Sequence, residues 1–267
     1  MSRDRDDQPR LALPRTVVVL ALAGGALLLG PLVALAVRGG LSGLPDALSN
    51  PGVRTALRVT AVTSVQATLI AVLLGVPLAL VADRTTGPIA RFAGLVGEVP
   101  LVVPPVVTGL GLLLLLGRNG LMGGLLDAAE LRLTFTAAAV VIAQASAATP
   151  LVIVATRAGL RTLDPLPEQV AAVHGAGPWA RLRLAVLPGV SGAIALGAAL
   201  GWGRAAGEFG ATLTFAGSLP GRTRTLPLEV FATLELDRAA AAAAALLQVL
   251  VAVAVLMVGR RLSRARA

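Results

Sequence analysis

The stretch LDPLPEQVAAVHGAGPWARLRLAVLPGV, residues 163–190, decides how the rest of the chain is read. It is too polar to cross a bilayer, yet it lies between two long apolar runs. Pro165 and Pro167 precede apolar positions at Val170, Ala171 and Val173, the pattern of a brief amphipathic helix. Gly175 and Gly177 break that helix, and Trp179, Leu182 and Leu184 mark a second short helix or the entry to the next apolar run. Two short helices joined by a glycine turn form a knob that another protein can grip. The alternative for the same residues is an interfacial helix with Trp179 as its membrane anchor.

Outward from this loop the chain is oily. Of its 267 residues, 56% are hydrophobic and 14% charged, and the mean hydropathy is +0.83. A bilayer core about 30 Å thick needs roughly 20 apolar residues per helical span. Six segments meet that length, at about 16–37, 56–82, 92–117, 133–156, 185–215 and 239–259. The expected fold is an all-α integral membrane domain over 16–259, with its polar loop at about 163–185 and short tails at 1–15 and 260–267. Six spans put both termini on one side. Fourteen arginines then share that side with the loop, eight lie opposite, and Arg204 falls within a span. The positive-inside bias therefore predicts cytoplasmic termini. Ala34-Leu35-Ala36 resembles a signal cleavage site, but the first apolar run is too long for a signal peptide and follows Asp4, Asp6 and Asp7, so it is read as a retained helix.

Missing residue types exclude whole classes of chemistry. All 23 basic residues are arginines, and there is no cysteine. Disulfides and thiolates are absent, and without lysine there is no P-loop, so any ATP must be hydrolysed by a partner. His174, the single histidine, lies in the polar loop away from any nucleophile, and the carboxylates are scattered. No catalytic residue, metal site or cofactor is expected on this chain. The arginines cluster at the ends of apolar runs, and aromatics are 3% of the chain, which argues against a nucleic-acid groove.

Two spans carry unusual sequence. The third contains VPLVVPPVVTGLG, residues 99–111, where Pro100, Pro104, Pro105, Gly109 and Gly111 force a helix to kink or open. A packing kink is one reading; the other is a broken helix lining a path, with Pro104, Pro105 and Thr108 beside it. The fifth contains GRAAGEFGATLTF, residues 203–215, with Gly197 and Gly201, then Gly203 and Gly207, at close-packing spacing. Arg204 and Glu208 are four apart and can pair, and together with Thr212 they are further candidates for the path.

At the loop, the chain resembles the permease subunits of ATP-binding cassette importers, whose cytoplasmic signature runs EAA, three residues, G, nine residues, I, one residue, L-P. Gln169-Val170-Ala171 stands at EAA, Gly175 at the glycine, Ala185 at the isoleucine and Leu187-Pro188 at the final pair, with Glu168 supplying a carboxylate one residue early. LVVPPVVTGLGLLLLLGRNGLMG, GRAAGEFGATLTFAG and LPGRTRTLPLEVF look like the molybdate and tungstate branch of these permeases. Sulfate permeases share GEFGA but match GRTRTLPL less well.

The resemblance, over about residues 50–258, implies a homodimer of six-helix subunits embedded in the lipid of the cytoplasmic membrane. It also implies a cytoplasmic ATPase dimer on the loop, and an extracytoplasmic binding protein that delivers the oxyanion to a path between spans three and five. A bare carboxylate repels a dianion, so Glu208 is expected to neutralise Arg204 and not to bind substrate. A secondary carrier working through Glu208 or Glu98 is the rival reading; it has no need of the loop's spacing.

Overall fold

A computed structural model of the chain describes residues 14–264; the remainder of the expected tails, 1–13 and 265–267, lies outside the described residues. Every regular element among the described residues is helical. Helix α1 (Arg15–Leu35) runs into a π turn at Ala36–Gly40 and is followed by a short α2 (Leu44–Ser49). The long α3 (Pro51–Arg84) starts where the Asn50 side chain accepts hydrogen bonds from the N–H groups of Gly52 and Val53, with Pro51 at the first helical position. Gly87, at φ +83, turns the chain into α4 (Pro88–Val102).

Four helices are long and apolar enough to cross a membrane: α1 with its π turn, α3, α7 (Ala137–Arg161) and the final helix. Two bent pairs complete a set of up to six. The span at 92–117, expected to kink or open at its prolines, is α4 followed by α5 (Pro105–Leu116), bent by 119°. Val103 and Pro104 each precede a proline and are extended, at ψ 128 and 137, because the following pyrrolidine ring disfavours α geometry. Both halves nonetheless track α7. Gly97 of α4 packs on Ile153, whereas Leu112, Leu113 and Leu116 of α5 cluster with Ala139, Val140 and Ala143 near the other end.

After a short α6 (Gly123–Ala128) and α7, the polar loop folds as α8 (Leu166–Val173), α9 (Pro178–Arg181), a π turn at Leu182–Val186 and α10 (Leu187–Gly189). The chain then bends by 65° into α11 (Ser191–Ala206). The expected span 185–215 is therefore also interrupted: α11 stops at Gly207, and α12 (Gly210–Ala216) is a separate helix. A further helix, α13 (Leu226–Leu234), precedes α14 (Arg238–Arg264), which runs past the expected end at 259.

Small residues hold the bundle together, as expected where lipid removes the hydrophobic drive between helices. Ala67, Ala71 and Val76 of α3 pack on Val141, Ala145, Ala148 and Val152 of α7, with Ala205 of α11 in the same cluster. The crossing of α7 with α11 uses the first expected glycine pair. A Cβ on Gly197 would lie 3.1 Å from Val152 Cα, and one on Gly201 would lie 3.3 Å from the Ala148 carbonyl oxygen. The second pair does not form such a contact, because a Cβ on Gly203 would meet open space and Gly207 lies at the helix end.

Candidate functional site

Two regions draw together the residues singled out in the sequence. In the middle of the bundle, the break between α11 and α12 faces the break between α4 and α5. The Glu208 carboxylate is fully buried there and serves both halves of its own interruption: Oε2 accepts from Arg204 Nη1, and Oε1 accepts from the N–H of Ala211 at 2.8 Å. Arg204 thus neutralises the carboxylate, and the carboxylate in turn satisfies an orphan donor in the first turn of α12. Unlike Glu208, the Arg204 side chain is 38% exposed.

Arg204 and Glu208 share a small cleft with Pro100, Pro105, Thr108 and Ser146. Glycines make the approach possible. A Cβ on Gly109 of α5 would sit 2.7 Å from Ala211 Cα, and one on Gly210 would sit 3.1 Å from the Val106 nitrogen. Pro104 caps the start of α5 but does not line the cleft. Thr212 is fully buried with its Oγ1 unpartnered, and it too lies outside the cleft lining.

Two polar residues that were not singled out in the sequence, Gln248 and Ser146, belong to the site, and a third, Gln144, is buried on the same helix as Ser146. Gln248 Nε2 donates to the Ala206 carbonyl at 3.3 Å, satisfying a backbone acceptor released where α11 ends. Its signal was legible, since Gln248 is the one polar residue in the apolar run 239–259. Ser146 lines the cleft from α7. Gln144, also on α7, is completely buried with neither side-chain polar atom hydrogen-bonded.

The second region is the loop. Gly175 has φ +79, the left-handed geometry expected of a glycine between two short helices, and His174 Nδ1 lies 2.9 Å from the Val170 carbonyl at the end of α8. Glu168 turns inward and meets Arg84 at the end of α3 at 2.7 Å, while Gln169 is exposed. Ala171, on the same helix, is half-buried. Arg161–Asp83 and Arg157–Glu98 ion pairs, at 3.4 and 3.0 Å, tie α3, α4 and α7 at this end. Val186, Val190 and Leu160 form a buried cluster with Leu163 and Leu182 around it, so the segment containing Leu187 and Pro188 is anchored to α7. The loop also presents large apolar side chains outward: Val173, Trp179 and Leu184 are 86%, 72% and 72% exposed.

Among the described residues there is no cluster of three or more histidine, cysteine, aspartate or glutamate side chains placed to hold a metal ion.

Comparison with known proteins agrees with this architecture. The model of the family described as binding-protein-dependent transport system inner membrane component matches residues 71–267. The Molybdenum transport system permease protein ModB of Mycobacterium tuberculosis is 43% identical over 258 residues, covering 95% of this chain and 96% of that protein. The Sulfate transport system permease protein CysW of Synechococcus elongatus is 30% identical over 225 residues, covering 81% of this chain and 79% of its own. Among solved structures, a chain of a bacterial alginate ABC transporter in complex with its pentasaccharide-bound periplasmic protein superposes with a TM-score of 0.71 at 14% identity, covering 93% of each chain. That likeness is one of fold. A family match over residues 71–267, with relatives aligned along most of their own length, establishes that the chain belongs to the inner membrane components of binding-protein-dependent transport systems.

Proposed function

We propose that this chain is the permease subunit of an ATP-driven importer that carries molybdate, or its close analogue tungstate, through the cytoplasmic membrane. The observation that carries the substrate class is the 43% identity to a molybdenum permease over 95% of this chain. The lower identity to a sulfate permease, 30% over 81% of the chain, makes sulfate the second reading. Two copies form the translocation unit. A cytoplasmic ATPase dimer grips the apolar face of α8 and α9, and an extracytoplasmic binding protein delivers the oxyanion at the opposite end. The loop and both termini face the cytoplasm. ATP-driven closure of the ATPases pulls the loop, and the anchored segment from Val186 to Val190 passes that movement to α11 and its break. No cofactor is required on this chain.

The test is uptake of labelled molybdate by proteoliposomes holding this chain, a cognate ATP-binding cassette ATPase and the matching binding protein. ATP-dependent uptake that excess tungstate abolishes and excess sulfate does not is the expected result. Competition by sulfate at equal concentration overturns the molybdate assignment. The purified chain alone should neither bind nor hydrolyse ATP. Cysteines at His174 and at Arg222, both exposed, should be labelled from the cytoplasm and from outside respectively; reversed labelling overturns the orientation.

A further inference from the structure

We infer that Gln144 is a stand-in partner for Glu208, which takes over that carboxylate when Arg204 leaves it for a passing anion. The inference rests on the oxyanion reading above. Its starting point is an unexplained cost: Gln144 is 0% exposed, and neither its Nε2 nor its Oε1 has a hydrogen-bond partner. A buried amide left unsatisfied forfeits its hydration without return, so any conformation that satisfies it is favoured.

Packing indicates where such a partner lies. The crossing of α7 with α11 is antiparallel, with Val152 against Gly197 and Ala148 against Gly201. One further turn sets Gln144 against Ala205, which is buried among Val141, Ala145 and Ala148 on the same stripe of α7. The next turn of the chain from Ala205 is Glu208.

The two members of the ion pair are unequally free to move. Arg204 is 38% exposed and opens onto the cleft with Thr108 and Ser146, whereas Glu208 is 1% exposed and fixed to the Ala211 N–H. An oxyanion in the cleft competes for the guanidinium, which binds tetrahedral oxyanions through paired N–H donors. Release of Arg204 alone would leave a buried carboxylate uncompensated, at a cost large enough to block the exchange. An amide N–H donated from Gln144 to Oε2, with the Ala211 N–H kept on Oε1, lowers that cost. Gln144 is thus a positioning residue acting through Glu208, and not a substrate ligand.

The test is a double-mutant cycle on the assembled complex. Arg204→Met makes Glu208 depend on Gln144 permanently. Its loss in melting temperature should be larger by about 2–4 °C in a Gln144→Met background than in the wild type. By itself, Gln144→Met should leave the melting temperature unchanged or raised, because it removes the unsatisfied amide, yet lower the solute carried per ATP hydrolysed by about tenfold. In a Glu208→Gln background, Gln144→Met should lower that ratio no further. Additive stability losses, or a transport ratio unaltered by Gln144→Met, overturn the inference. The stability cycle needs no substrate, so failure of the molybdate reading shows separately, as wild-type complex that does not take up molybdate.

Discussion

Arg84 and Glu168, 84 residues apart in sequence, meet at 2.7 Å and join the end of α3 to the first helix of the loop. The glutamate that stands one residue early relative to the family's signature is therefore the one turned inward, and Gln169 at the signature position is exposed. The pair is partly exposed, at 38% and 27%, so its contribution to stability is small, about 0.2–1 kcal/mol. Its effect falls on the orientation of α8. Glu168→Ala should leave the melting temperature nearly unchanged but speed hydrogen exchange across Leu166–Val173 and weaken ATPase assembly. Gln169→Ala should leave exchange across α8 at the wild-type rate. Equal exchange rates in the two variants would show that the ion pair does not hold the helix.

Gly175 and Gly177 separate backbone strain from steric room. A Cβ on either meets nothing within 4 Å, but Gly175 has φ +79 and Gly177 has φ −66. Gly175→Val forces a β-branched residue into left-handed geometry at a cost of roughly 1–3 kcal/mol, whereas Gly177→Ala costs little. The first should loosen the ATPase complex or uncouple hydrolysis from transport while the spans remain inserted; the second should behave as wild type. Co-purification of the ATPase and the transport-to-hydrolysis ratio read both outcomes.

The two broken helices make a matching prediction in the membrane. Gly109→Ala places its Cβ 2.7 Å from Ala211 Cα, an overpacking that typically costs about 1–3 kcal/mol. Gly111→Ala, two residues on in the same helix, meets open space and should be neutral or stabilising by up to ~1 kcal/mol. Melting of the detergent-purified protein distinguishes them. Equal melting temperatures would mean that α5 and α12 do not depend on this close approach.

Sequence and structure agree most closely where local chemistry decides the outcome. The proline cluster at 100–105 dictated an opened helix, because a ring that removes a donor and constrains its predecessor acts within a few residues. Gly175 disclosed its turn in the same way. By contrast, the span drawn through 185–215 missed the break at Gly207–Phe209, because Arg204 and Glu208 four apart read equally well as a pair along one helix, and a helix start whose N–H is satisfied by a glutamate carries no usual cap signal. Glu208 was legible as a charge needing a partner, but its second role as a cap was not, since Ser, Thr, Asp and Asn are the usual signal. Arg84 as the partner of Glu168, and Ala205 buried among Val141, Ala145 and Ala148, depend on packing between distant segments, which no local pattern records.

The asymmetry of the Arg204–Glu208 pair yields the last prediction. With Glu208 at 1% exposure and Arg204 at 38%, the two single substitutions strand unequal partners. Arg204→Gln leaves a buried carboxylate, for which breaking a buried pair costs up to about 3–5 kcal/mol. Glu208→Gln leaves an arginine that can reach the cleft, and its amide oxygen can still accept the Ala211 N–H, so the loss should be smaller. Combining the two removes the stranded charge and should recover much of the stability lost in Arg204→Gln. Glu208→Ala, which abolishes the cap as well as the charge, should not be recovered by Arg204→Gln to the same extent. A melting-temperature cycle over these variants, paired with uptake, separates the roles. Recovery of stability without recovery of uptake would assign Arg204 and Glu208 to the path itself, since the packing would be repaired and the passage of substrate would not.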